Sequence, residues 1–137
     1  MSANDRQVGG SHYQGAIYQH WDFCVENDLR YLEGTITKYV ARWKDKGGRQ
    51  DLKKALHYAE KLYEVNNTFW GRLGFLRNRP KRIPTVRGLD EMTSLYRLNA
   101  TEREIFRLAV EYKNLTELKG LVALLTLRLA QVPPLGF

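Results

Sequence analysis

Residues 32–63 read LEGTITKYVARWKDKGGRQDLKKALHYAEKLY, and this stretch decides the fold. Within Leu29 to Lys46, Leu32, Ile36, Tyr39, Val40 and Trp43 recur at spacings of three and four, the period of a helix with one apolar face. Gly47-Gly48 breaks that pattern. A second helix opens at Asp51, with Leu52, Ala55, Leu56, Ala59, Leu62 and Tyr63 as its apolar stripe. Two antiparallel helices joined by a glycine turn are therefore expected.

Working outward, Ile17, Trp21, Phe23, Cys24 and Val25 predict a first helix over Ile17 to Asn27, preceded by an extended arm containing Gly9, Gly10 and Gly15. On the other side, Gly71, Gly74, Pro80, Pro84 and Gly88 interrupt any periodicity. Residues 68–88 read as a connector with one short helical turn around Leu73 to Arg77. A short helix follows over Leu89 to Arg97. Thr101-Glu-Arg-Glu104 has the form of a capping box before Ile105, Phe106, Ala109 and Val110. Thr116 is the expected cap of a last helix running to Gln131, which Pro133-Pro134 ends. With no alternating β-branched run, the chain is all-α. It has an N-terminal three-helix unit over 1–67 with a central hairpin, the basic connector, and a C-terminal two- or three-helix unit over 89–137 that packs separately or with the first.

The chain has 137 residues with 43% apolar and 27% charged side chains, which is one domain's worth of foldable sequence. Its single cysteine, Cys24, excludes an internal disulfide. The N-terminal arm lacks the apolar core of a secretory signal. The apolar stretch from Leu115 to Val132 is interrupted by Glu117, Lys119 and Arg128, so no membrane partner and a cytoplasmic location are expected. Leu118, Leu121, Val122, Leu124, Leu125, Leu127 and Leu129 leave the last helix little polar circumference. It is expected either at the centre of the core or at a homo-oligomer contact through residues 115–131.

The net charge of +7 is unevenly spread. Residues 1–67 hold ten Lys+Arg against nine Asp+Glu, whereas residues 68–137 hold twelve against six. Arg72, Arg77, Arg79, Lys81, Arg82 and Arg87 stand between Gly71 and Gly88 with no acidic residue among them. Such a segment is either a solvated basic loop or an anion-binding element. Arg77, Arg79 and Arg82 are its candidate contacts, and Phe69, Trp70 and Phe75 are nearby stacking residues for nucleic acid.

Familiar catalytic loops are missing: there is no G-x-x-x-x-G-K-[ST], no G-x-G-x-x-G and no H-E-x-x-H. His12, His20 and His57 are too dispersed to suggest a zinc site, and no metal ligands are assigned. The hairpin is richer. Lys38, Arg42 and Lys46, four residues apart, form a cationic ridge that suits phosphate oxygens, the arginine by its planar fork and the lysines as point charges. Asp51, Lys54 and Tyr58 line up on the next helix. A bland explanation also fits, in which Asp51 is an N-cap and Lys54 is merely solvated.

Ser11-His12-Tyr13, Gly34-Thr-Ile-Thr-Lys38-Tyr39-Val-Ala-Arg42, Lys46-Gly-Gly and Asp51-Leu52-Lys-Lys54-Ala55-Leu-His-Tyr58 together resemble a bacteriophage domain family, the domain of unknown function 3310. Over about residues 10–64 the chain is similar to a phage nucleoside monophosphate kinase that lacks a P-loop. Thr35 stands where the family pattern commonly has Asn, and residues 68–137 have no counterpart in it. The resemblance implies a phage nucleotide kinase-like domain over 1–67, working in the host cytoplasm. It implies a phosphate-recognising surface of His12, Tyr13, Lys38, Tyr39, Arg42, Lys46, Lys54 and Tyr58. Asp51 and Arg42 would be its catalytic pair, and Mg2+ and ATP its requirements if it is a kinase.

Three functions stay open from these residues. The first is phosphoryl transfer to a nucleoside monophosphate, with lysines and Arg42 neutralising the transferred group and Asp51 as the acid. The second is an oligomeric, non-catalytic protein that sequesters a host nucleotide signal and so blunts a defence pathway. The third is nucleic-acid binding through residues 71–88.

Overall fold

The computed structural model describes residues 3–5, 18–68 and 86–134. Among them lie six α-helices and no strand, as an all-α chain requires. They are α1 (His20–Glu26), α2 (Tyr31–Arg42), α3 (Arg49–Asn66), α4 (Leu89–Tyr96), α5 (Ala100–Glu111) and α6 (Leu115–Ala130), with a 3-10 turn at Ala3–Asp5. The short turn expected near Leu73 to Arg77 lies outside the described residues.

The two apolar stripes of the hairpin pack against each other as their spacing dictates. Ile36, Val40 and Ala41 of α2 and Leu52, Ala55, Ala59 and Leu62 of α3 are all buried. The helices run antiparallel, since Arg42 meets Asp51 while Tyr39, one turn earlier, meets Lys54 and Tyr58. Helix α2 ends sooner than the pattern suggested, at Arg42 rather than Lys46, and residues 43–48 form turns. Trp43 is nevertheless buried, because its indole leaves the helix axis to reach Glu102. Gly48 makes the corner possible. Its φ of 60° and ψ of −148° lie in a region that essentially only glycine occupies.

Helices α4, α5 and α6 close the core from the other side. Helix α6 lies along α3 and also on α5, and α2 contacts both α4 and α5. One continuous apolar cluster runs from Phe23 through the hairpin to Met92, Ile105, Phe106, Leu118, Leu121 and Leu125. The inner edge of α6 is thus a core face, while Leu127 remains about half exposed.

Helix starts differ from expectation in a consistent way. Helix α1 begins at His20, three residues late, where Gln19 and Asp22 form a reciprocal cap. Helix α3 is capped at Gly48, so Asp51 is not an N-cap but sits in the first turn. Asn99, not Thr101, caps α5: its side chain accepts from the Glu102 amide, and Glu102 reaches back to the Asn99 amide. Asn114, not Thr116, caps α6 by accepting from the Glu117 amide. Each true cap is an Asn two residues ahead of the expected Thr. At α5 the Asn-x-x-Glu spacing wins because Glu102 is also held by the Trp43 indole, the Lys44 ammonium and the Arg128 guanidinium.

Candidate functional site

The cationic ridge of α2 forms one wall of a cleft of about 230 Å3. Lys38, Ala41, Arg42 and Lys46 line it from the hairpin, Gln19, His20 and Trp21 from the start of α1, and Tyr96 from the end of α4. The helical period explains the wall: residues 38 and 42 share a face of α2, and the turn after it carries Lys46 onto the same side. No carboxylate lines this cleft among the described residues. It is therefore electropositive.

Arg42 is fixed by Asp51. Arg42 Nε donates to Asp51 Oδ2 at 3.0 Å, and the same oxygen accepts from the Gly47 amide at 3.0 Å. Asp51 is 1% exposed. A Cβ on Gly47 would stand 2.1 Å from that carboxylate, so this glycine is what lets Asp51 tuck under the turn. The carboxylate takes Nε and faces Nη2, so it orients the guanidinium of a side chain that is about a quarter exposed, with Nη1 left for an anion.

Around the corner from the cleft, Tyr39 collects charge. Lys38 Nζ, Arg42 Cζ and Lys54 Nζ stand 5.5, 4.9 and 5.4 Å from the centre of its ring. Tyr58 lies nearly parallel to it at 6.0 Å, and Tyr31 meets Tyr58 edge-on at 6.2 Å. Hydrogen bonding to Tyr31 pushes the Tyr58 phenol above its usual pKa, so it stays protonated at neutral pH. Six residues expected at the site are thus contiguous: Lys38, Tyr39, Arg42, Asp51, Lys54 and Tyr58. Lys46 joins them through the cleft. His12, Tyr13, Arg77, Arg79 and Arg82 lie outside the described residues.

Among the cleft residues that had no signal in the sequence as site residues are three ring side chains. Trp21 is 48% exposed and presents a large ring at the mouth, with its indole nitrogen donating to Asn4 Oδ1. His20 lies deeper, 2.8 Å from the Thr37 hydroxyl. That hydroxyl has carbonyl acceptors in Glu33 and Gly34, so His20 Nε2 carries the hydrogen. Burial, with the Lys38 charge beside it, lowers the His20 pKa to about 4. The ring is neutral at pH 7. Tyr96 closes the far side, almost fully buried. A chemical pattern at fixed spacing could have flagged none of them, because α1 and α4 reach the ridge only through tertiary packing. Cys24 lies below His20, and burial raises its thiol to about 11, which keeps it protonated. Thr35 turns its hydroxyl back to the Tyr31 carbonyl of its own helix.

The site is therefore an anion-attracting cleft with an aromatic mouth, built on an all-helical scaffold. Residues 9–60 match the family model described as a protein of unknown function (DUF3310), the same domain family that the motifs of this segment resemble. It contains α1, α2 and most of α3, and with them every cleft-lining residue except Tyr96. No curated protein and no solved structure matches the chain. No described helix is long and apolar enough to cross a membrane.

Proposed function

We propose that the protein binds a phosphorylated nucleotide, with the phosphate in the cleft and the base against its aromatic mouth. One observation carries this: Lys38, Arg42 and Lys46 converge on a single cleft whose mouth is a half-exposed tryptophan. Cations with an oriented fork suit phosphate, and a flat indole suits a nucleobase. At about 230 Å3 the cleft is smaller than the roughly 300–1,000 Å3 of a site that engulfs a drug-sized ligand. It has room for the phosphate end, leaving the base on Trp21. Calorimetry with the four deoxynucleoside monophosphates tests the proposal. Saturable binding by at least one of them, weakened in Trp21→Ala and in Lys46→Ala, is the expected result, and no heat from any of them refutes it.

Turnover as a nucleoside monophosphate kinase is the second reading, favoured by the Ser11-His12-Tyr13 opening and the two helix motifs that resemble the phage kinase. Arg42 and the lysines would neutralise the transferred phosphoryl group, with Asp51 acting through Arg42. A protein-held Mg2+ does not fit the described residues. Asp51 is engaged by Arg42 and Gly47, and no group of three or more His, Cys, Asp or Glu side chains converges among them. Incubating the protein with a deoxynucleoside monophosphate and ATP separates the two: binding without diphosphate formation leaves a sequestering protein, for which small molecules released from the purified chain identify the cargo.

A further inference from the structure

The turn after α2 delivers Lys46 to the cleft, and the side chains just before it are held from the C-terminal half of the chain. The Trp43 indole donates to Glu102 Oε2 at 2.8 Å. Lys44 Nζ donates to Glu102 Oε1 at 3.1 Å and to the Arg97 carbonyl at 3.0 Å. Asp45 accepts from Arg97 Nη2 at 2.9 Å. Lys46, the next residue, is exposed and lines the cleft. The consecutive anchors at 43, 44 and 45 thus end at a cleft residue.

Arg97 stands at the junction. It ends α4 in the left-handed region, with φ of 56° and ψ of 48°, a conformation that a residue with a side chain adopts at a cost and keeps where its contacts hold it. From there its carbonyl reaches Lys44 while its guanidinium reaches Asp45, and its chain neighbour Tyr96 lines the cleft. One residue therefore ties the α4 wall of the cleft to the turn that carries Lys46. Neither Arg97 nor Glu102 falls within residues 9–60, so no motif of the hairpin accounts for this tie. We infer that the C-terminal half of the chain sets the position of Lys46 in the cleft, with Arg97 as the positioning residue. The inference rests on the nucleotide-binding proposal above and adds to it a role for α4 and α5. An ammonium on a pinned turn is already placed for a phosphate, whereas one on a loose turn must be ordered as the anion binds. The pair of Arg97 with Asp45 contributes little to the fold, since the arginine is 59% exposed. Its loss is therefore read in binding.

The decisive experiment titrates the four deoxynucleoside monophosphates into the full chain and its variants at one salt concentration. Arg97→Gly deletes the ion pair and suits the left-handed backbone, so it should keep the native thermal transition. Its affinity for the mononucleotide that the native chain binds should fall about threefold to fivefold, the most that one exposed ion pair can transmit. Arg97→Lys should recover most of that loss, because the contact is a single N–H to one carboxylate oxygen. Arg103→Ala removes an equal charge from an exposed pair with Asp90 that does not involve the turn, and it should bind as the native chain does. In an Asp45→Asn background, Arg97→Gly should have no further effect. Amide hydrogen exchange over residues 44–48 should quicken in Arg97→Gly and stay native in Arg103→Ala. Affinity unchanged by Arg97→Gly overturns the inference while leaving nucleotide binding in place. So does an equal fall in Arg103→Ala, a loss that Arg97→Lys does not recover, or one that persists in full beside Asp45→Asn. Absence of binding by every mononucleotide to the native chain removes the underlying proposal and this inference together.

Discussion

Arg42 shows how one side chain ties stability to recognition. Its guanidinium is both the cation of the cleft and the partner of a buried carboxylate, so Arg42→Ala removes a phosphate contact and leaves Asp51 uncompensated. Nucleotide affinity should fall by about 1.5–3 kcal/mol, the scale of a charged hydrogen bond, and calorimetry reads that loss. The thermal transition should drop too, a consequence invisible while Asp51 is taken for a helix cap. His20 makes a second residue-level prediction. In the unfolded chain its imidazole takes a proton near pH 6.5, but the folded site resists protonation until about pH 4. The unfolded state therefore binds the extra proton first. The stability from keeping His20 neutral is whole above about pH 6.5 and is lost as pH falls from there toward 4, on the order of 3 kcal/mol. Denaturant melts across pH 4.5–7 should show this slope in the native chain and a flatter one in His20→Gln.

The helices themselves were legible in the sequence, and their ends were not. The stripes Ile36, Val40 and Leu52, Ala55, Ala59, Leu62 fixed the hairpin, because an apolar period of 3.6 has one economical burial. The cap of α5 was displaced by two residues, since Asn99-x-x-Glu102 overlaps Thr101-x-x-Glu104 and local rules accept either. What selects the first lies far away in the chain: Trp43 and Lys44 at the end of the hairpin and Arg128 on α6 all reach Glu102. The same limit hid Trp21 and His20, which become cleft residues only when α1 docks on α2, whereas Lys38, Arg42 and Lys46 were visible as a periodic ridge on a single element. Glu102 therefore makes an element-scale prediction. Burial raises its carboxyl pKa, but the Asn99 amide, the Trp43 indole, Lys44 and Arg128 outweigh that and hold it below the usual range. Its contribution is present above about pH 4.5 and is lost as pH falls through the lower folded value. Glu102→Gln should cost ~2–4 kcal/mol at pH 7, somewhat less than a fully buried pair because Lys44 and Arg128 keep some solvent contact. The difference from the native chain should shrink in acid, which melts at pH 7 and pH 3 will show.

At the scale of the molecule, the apolar girth of α6 is divided between inside and outside. Leu118, Leu121 and Leu125 are core residues, so replacing Leu125 by Glu would unfold the chain rather than report on assembly. Leu127 is the residue that tests it. We propose that a second copy covers this outer edge; light scattering at micromolar concentration should then give more than one chain mass, and Leu127→Glu should return it to one with the thermal transition kept. A monomeric native chain refutes this. The packing of α3 against α6 also sets a timetable for biogenesis. Helix α3 is finished at Asn66, yet the helix that covers its inner face begins at Leu115. At about 5–20 residues per second, a ribosome needs several seconds to deliver the missing cover. During that interval the faces of Leu52, Ala55, Ala59 and Leu62 not covered by α2 remain wet on the nascent chain. The hairpin that carries the cleft is thus synthesised early and completed late, and its passage through that window depends on dilution, chaperones or the speed of translation.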